Sequence, residues 1–182
     1  SPLERCIETI TPWLSKFGKD VVVHSEPRII EPDYGMWSGR PLEELALEKL
    51  WIDVQNNPAL VTFPNGERFI DVWDRVTDFF THLSELANAG GNYIVVSHGD
   101  IIKFLLAHVL KIEFVNFQSL VVEPASVSIA HFADEKTRLV QFNRSDQKIG
   151  DLVTATAPAT LGGESASQKQ PLATSRSTEK SQ

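Results

Sequence analysis

The chain has 182 residues, 42% of them hydrophobic, and a formal net charge of -7. That length and apolar content suffice for one domain with a sizeable core and leave little room for a second. The acidic balance excludes a general nucleic-acid binder, because phosphate-backbone affinity needs clustered Lys and Arg, so an anionic small substrate would need a local cationic pocket.

The first predicted element begins at once. Ser1 and Pro2 follow no initiator Met, and Leu3, Ile7, Ile10, Leu14 and Phe17 already repeat at helical spacing, an abrupt start for a domain. Pro12 is expected to kink or divide this helix, and Gly18 ends it. Val21, Val22 and Val23 form a β-branched run that reads as a strand, followed by a loop through Pro27, Pro32 and Gly35. A helix is expected from Leu42 to Val54, then a loop from Asn56 into the turn Pro64-Asn65-Gly66. From Glu67 a long helix shows one apolar face at Val72, Val76, Phe79, Phe80, Leu83 and Leu86, closed by Gly90 and Gly91. Tyr93 to Val96 is an unbroken apolar run, the composition of a parallel strand covered on both faces. It leads straight into Ser97-His98-Gly99-Asp100 and a helix from Ile101 to Leu110, with Asp100 expected as its cap. Ser126 to Phe132 and Leu139 to Phe142 read as two strands around the charged turn Asp134-Glu135-Lys136.

This alternation of helices and strands implies an α/β sandwich. From Asp151 onward, large apolar residues almost vanish, so residues 1–150 are expected to be the folded domain and 151–182 a disordered tail. The single cysteine, Cys6, cannot form an internal disulfide, and no Cys/His spacing suggests a metal site. No apolar run spans a bilayer and no signal pattern opens the chain, so no membrane association is expected and the cytoplasm is the expected location.

Three places carry possible chemistry. His98 lies where a strand meets a helix N-terminus, a position whose amides suit an anion, although a structural histidine at a strand end has the same sequence context. Ser97 does not read as a hydrolase nucleophile, since the glycine two residues before it is missing. Arg5 stands in a first helical turn, where it opposes the helix dipole. Its donor fork suits phosphate, but a solvated arginine is the alternative. Glu31 shares a loop with Tyr34 and Trp37, and burial against them would raise its pKa and fit it as a proton donor, against the alternative of a surface carboxylate.

Together these segments resemble the histidine phosphatase (phosphoglycerate-mutase-like) superfamily. Its members show S-P-L-x-R, E-x-x-x-G-x-W, P-x-G-E and S-H-G in this order. The chain has Ser1-Pro2-Leu3-Glu4-Arg5, Glu31 through Trp37, Pro64-Asn65-Gly66-Glu67 and Ser97-His98-Gly99. Glu123 through Ser128 and Phe142-Asn143 further resemble an actinobacterial branch described as phosphomutases. The resemblance implies a three-layer α/β/α sandwich with a mostly parallel sheet. It implies that Arg5 and His98 bind the transferring phosphoryl group of a small phosphorylated substrate, that Glu31 protonates the leaving oxygen, and that no metal or cofactor is needed. The family's nucleophile lies in an R-H-G motif on the first strand, upstream of S-P-L. No R-H-G occurs in these 182 residues, and His24, His82, His108 and His131 lack its context.

The expectation is therefore a domain missing its first strand and nucleophile, whose complete form is a phosphatase on small phosphate monoesters. A mutase is the enzymatic alternative, disfavoured because residues 41–63 hold no arginine for a substrate carboxylate. A non-catalytic phosphate-binding module is the other alternative. The sequence leaves oligomeric state open.

Overall fold

A computed structural model of the chain describes residues 1–133 and 136–145. The expected tail over 151–182, and Asp134 and Glu135 of the charged turn, lie outside the described residues.

Helix α1 (Glu4–Phe17) follows the predicted apolar repeat, and Pro12 sits inside it without ending it. Proline removes one backbone donor, while the remaining ladder holds on both sides. The helix stops at Gly18, whose N–H donates to the Leu14 carbonyl at 2.8 Å. Cys6 is buried on its inner face.

The single helix expected from Leu42 to Val54 is two helices, α2 (Leu42–Leu45) and α3 (Lys49–Asn56). The apolar spacing explains the break. Leu42 and Leu45 share a face, as do Leu50, Trp51 and Val54, but the step of five from Leu45 to Leu50 would turn the second set away from the core. The chain breaks the helix at residues 46–48, leaving Leu47 87% exposed, and resumes in register. Arg40 pairs with Glu44 and Glu48 across the break.

Helix α4 (Phe69–Asn88) buries Phe69, Val72, Val76 and Phe79, and α5 (Gly99–Leu110) buries Ile101, Phe104, Leu106 and Ala107. The centre of the core is aromatic: Phe69 lies 5.1 Å from Phe63 and 5.4 Å from both Phe104 and Phe117 between ring centroids. Each such ring contributes roughly 1.5–3 kcal/mol by leaving water, and tilted pairs of this kind add about 0.5–1.5 kcal/mol. This core fixes α4 against α5, and α5 begins directly after His98.

Strands β1 (Val127–Ala133) and β2 (Lys136–Arg144) pair antiparallel from Ala133 opposite Lys136 to Val127 opposite Arg144, with an irregularity between Val127 and Ala130. Their burial alternates along the chain, so one face packs inward and the other meets water. This pair is the sheet found among the described residues. Val21–Val23 and Tyr93–Val96, expected as strands of a mostly parallel sheet, join no ladder there. Val22 is 75% exposed and Ile94 60% exposed. A β-branched or apolar run is suited to a pleated, half-buried surface, but a strand also needs a partner, which local composition does not specify. No helix among the described residues is long and apolar enough to cross a membrane.

Candidate active site

The segment after Tyr93 delivers His98 to the start of α5. His98 adopts extended backbone angles as the residue preceding the first helical turn, and its carbonyl accepts from Ile102 N–H at 2.8 Å. It, rather than Asp100, occupies the cap position. Asp100 is one residue inside the helix, and its carboxylate accepts from the Tyr34 hydroxyl at 2.8 Å and from Lys103 Nζ at 3.2 Å. Tyr34 from the Glu31 loop and Lys103 one turn along the same helix outcompete the capping role.

The first turn of α1 places Arg5 against the same imidazole. Arg5 Nε donates to His98 Nδ1 at 3.3 Å, and its terminal nitrogen Nη2 pairs with Glu31 Oε2. Glu31 Oε1 lies 4.0 Å from His98 Nδ1. Arg5, Glu31 and His98, drawn from positions 93 residues apart at the extremes, thus meet at one point. His98 is 5% exposed and the Glu31 side chain 15%, whereas the Arg5 side chain is 48% exposed and free to turn toward a ligand. Ser1 Oγ at 2.8 Å and Cys6 Sγ at 3.5 Å flank His98 Nε2.

The loop bearing Glu31 is held from three sides. Arg75 on α4 donates to the carbonyls of Arg28 at 2.7 Å and Ile30 at 2.8 Å. Ser97 Oγ donates to the Ile29 carbonyl at 2.8 Å, tying the residue before His98 to the residue two before Glu31. Tyr34, on the other flank, is buried and bound to Asp100. Burial, then the Asp100 carboxylate, pushes the Tyr34 phenol well above its ordinary pKa, so it remains a donor. Tyr34→Phe leaves a carboxylate short of one bond, and the expected loss is about 1.5–3 kcal/mol in urea unfolding. A variant as stable as the parent would show that the bond does not brace the loop.

Burial, followed by the charge of Arg5, lowers the His98 pKa from 6.5 to about 4. His98 is therefore neutral near pH 7. The unfolded chain takes up this proton below about 6.5, while the folded chain resists it until about 4, so the folded state gains from deprotonation. That stabilisation is present above pH 6.5 and is lost as pH falls through the window to 4. In phosphate-free buffer the protein is expected to lose about 2 kcal/mol between pH 7 and pH 5 from this group. His98→Gln should flatten that part of the profile, and parallel profiles for the two proteins would contradict the assignment.

Other histidines serve elsewhere. His108 stacks between Trp73 and Phe80, with ring centroids 4.3 Å and 5.1 Å away, and Thr77 Oγ1 lies 3.0 Å from its Nε2. His82 is on α4 and His131 on β1. Sequence reasoning did not find Arg75, Tyr34 and Asp100 as braces of the site. Arg75 has the sequence context of a solvated helical arginine, and its targets lie 45 and 47 residues away.

A half-exposed guanidinium, a carboxylate and a buried neutral imidazole beside a helix N-terminus form a group whose donors suit an oxyanion. Residues 1–145 match the histidine phosphatase superfamily (branch 1), and the chain belongs to that family. It is 31% identical over 151 residues to phosphoserine phosphatase 1 of Hydrogenobacter thermophilus (strain DSM 6534 / IAM 12695 / TK-6), covering 79% of this chain and 67% of that protein. It is 32% identical over 137 residues to bifunctional protein Rv2228c of Mycobacterium tuberculosis (strain ATCC 25618 / H37Rv), covering 72% of this chain but 36% of that protein. The chain thus spans just over a third of the mycobacterial relative's length. Among solved structures, the alpha-ribazole phosphatase from Shigella flexneri superposes with a TM-score of 0.65 at 26% identity, covering 78% of this chain and 70% of that one. The mycobacterial glucosyl-3-phosphoglycerate phosphatase Rv2419c shares the fold, with a TM-score of 0.62 at 24% identity over 80% of this chain and 75% of that one.

Proposed function

We propose that these residues carry the phosphate-binding and proton-transfer part of a cytoplasmic phosphatase acting on small phosphate monoesters. The convergence of Arg5, Glu31 and His98 carries this reading. In the proposed reaction a histidine supplied from outside residues 1–182 attacks phosphorus, and the phosphorus–ester oxygen bond breaks. Arg5 and His98 hold the equatorial oxygens, and Glu31 gives its proton to the departing alkoxide. Water then attacks the phosphohistidine and loses its proton to Glu31, releasing inorganic phosphate and regenerating the free histidine. The phosphatases among the relatives support hydrolysis over transfer between two positions of one substrate.

A cavity of about 950 Å³ supports the missing-strand part of the reading. Ile94, Val95, Ile102, Leu106, Val127 and Ile129 are among the residues lining it, and His98 and Arg5 stand at the same cavity. Tyr93–Val95 on one side and the outer edge of β1 on the other have no ladder partner among the described residues. A strand in that space would pair with both and give the three-layer sandwich with a mostly parallel sheet. Residues 1–150 then form one phosphatase domain once that strand is present.

The test is phosphate release from a panel of phosphate monoesters by the intact protein and by residues 1–182 alone. Release by the intact protein, with none by 1–182, is the expected result. Interconversion of phosphoglycerates without release would favour a mutase, and phosphate binding without either reaction would favour a binding module. Turnover by 1–182 alone would overturn the external nucleophile.

A further inference from the structure

The two nitrogens of His98 face different chemistry. Nδ1 faces Arg5 Nε at 3.3 Å and Glu31 Oε1 at 4.0 Å, while Nε2 faces Ser1 Oγ at 2.8 Å and Cys6 Sγ at 3.5 Å. A guanidinium only donates hydrogen bonds, so the contact from Arg5 requires a lone pair on Nδ1. A neutral imidazole has one N–H, and it must then lie on Nε2. Ser1 Oγ is arranged to receive it. The hydroxyl oxygen already accepts from Leu3 N–H at 3.4 Å, which leaves its second lone pair for the imidazole, with the weakly accepting sulfur of Cys6 alongside.

We infer that Ser1 is a positioning residue that holds His98 as the Nε2–H tautomer, so that Nδ1 is the nitrogen turned toward the ligand. What Nδ1 meets there rests on the phosphatase reading. When an oxyanion draws Arg5 away, Nδ1 takes a proton from solvent and, keeping it, donates a hydrogen bond to the oxyanion, while Nε2–H stays on Ser1. The charged groups around the ring are Arg5 from α1, the amino group of Ser1, Glu31 from the loop and Arg75 from α4, and the thiol of Cys6 also faces it. A phosphoryl dianion would add to Glu31 in favouring that proton. Ser1 thus acts through His98 and touches no reacting atom in this scheme.

Two-bond proton–nitrogen correlation spectra of the protein carrying ¹⁵N-labelled histidine read the tautomer directly, with His98 assigned through His98→Gln. The wild-type ring is expected as Nε2–H. Ser1→Ala is expected to lower the ratio of Nε2–H to Nδ1–H about fivefold, the population equivalent of one ordinary hydrogen bond. Ser1→Thr, which keeps the hydroxyl, should restore the wild-type ratio. An Nδ1–H ring in the wild-type protein would overturn the inference whatever the variants do, and so would an unchanged ratio in Ser1→Ala. Titrating the wild-type protein with inorganic phosphate separates the two readings. Protonation of Nδ1 with Nε2–H retained supports both, whereas an Nε2–H ring indifferent to phosphate upholds the tautomer and removes the phosphate-binding role.

Discussion

Arg5→Ala in the intact protein is expected to lower kcat/KM for a phosphate monoester by roughly 10²–10³-fold, the cost of removing one preorganised donor from developing negative charge. Arg5 links His98 to Glu31. Its side chain is half exposed, so it can turn from those partners to a phosphoryl group without unpacking the core. The proposed displacement loads charge onto three equatorial oxygens, and a fork of donors meets two of them at once. Arg5→Lys keeps the charge but not the fork, and should recover only about a tenth of the lost rate. Stability should also fall, by roughly 1–3 kcal/mol, because the Glu31 carboxylate and His98 Nδ1 each lose a partner. Steady-state kinetics of the three proteins decides the matter: activity of Arg5→Ala within threefold of the parent would remove Arg5 from the phosphate site.

The parts of the site that were legible in the sequence are those with strong local signatures. Ser1 to Arg5 enters a helix, Glu31 to Trp37 is a turn-rich loop, and Ser97 to Gly99 joins an apolar run to a helix. The order of these segments pointed to one family, and the structure brings their three polar side chains together. Helices α1, α4 and α5 and the hairpin of β1 and β2 were equally local, since each rests on a periodicity visible within one window. Other features depend on distant partners. Asp100 looked like a cap until Tyr34, 66 residues away, claimed its carboxylate. Val21–Val23 and Tyr93–Val96 have strand composition, yet pairing depends on what lies beside them. The break between α2 and α3 was readable from the five-residue step at Leu45, and missing it was an error of periodicity rather than of principle. Arg75 shows the reverse case, a residue with no local signal whose long reach fixes the loop that carries Glu31.

That loop also gives the largest expected effect on stability. Gly35 has a φ of +54°, and a β-carbon added there would lie 2.1 Å from the Pro64 carbonyl oxygen and 2.7 Å from both Asn65 C and Gly66 N. All three atoms are backbone, so no rotamer change relieves the overlap. The two chain segments are held together by Met36 N–H to the Pro64 carbonyl at 2.8 Å and Glu67 N–H to the Asp33 carbonyl at 2.9 Å. The Glu67 carboxylate accepts from Asp33 N–H at 2.8 Å. Moving the segments apart breaks these bonds and withdraws Tyr34 and Trp37 from the core. Gly35→Ala is therefore expected to cost about 4 kcal/mol or more, on the order of 10 °C in Tm for a domain of this size. Gly39 supplies the control. It has a φ of +74° but open space around the position of a β-carbon, so Gly39→Ala meets only the left-handed backbone penalty of about 1–2 kcal/mol. Glu31, four residues before Gly35, should lose its place beside Arg5 in the first variant and keep it in the second, so activity should fall with stability in Gly35→Ala alone. Thermal melts and kinetics of the two variants side by side test this, and equal losses would show that backbone strain, not the close approach to Pro64, sets the requirement for glycine.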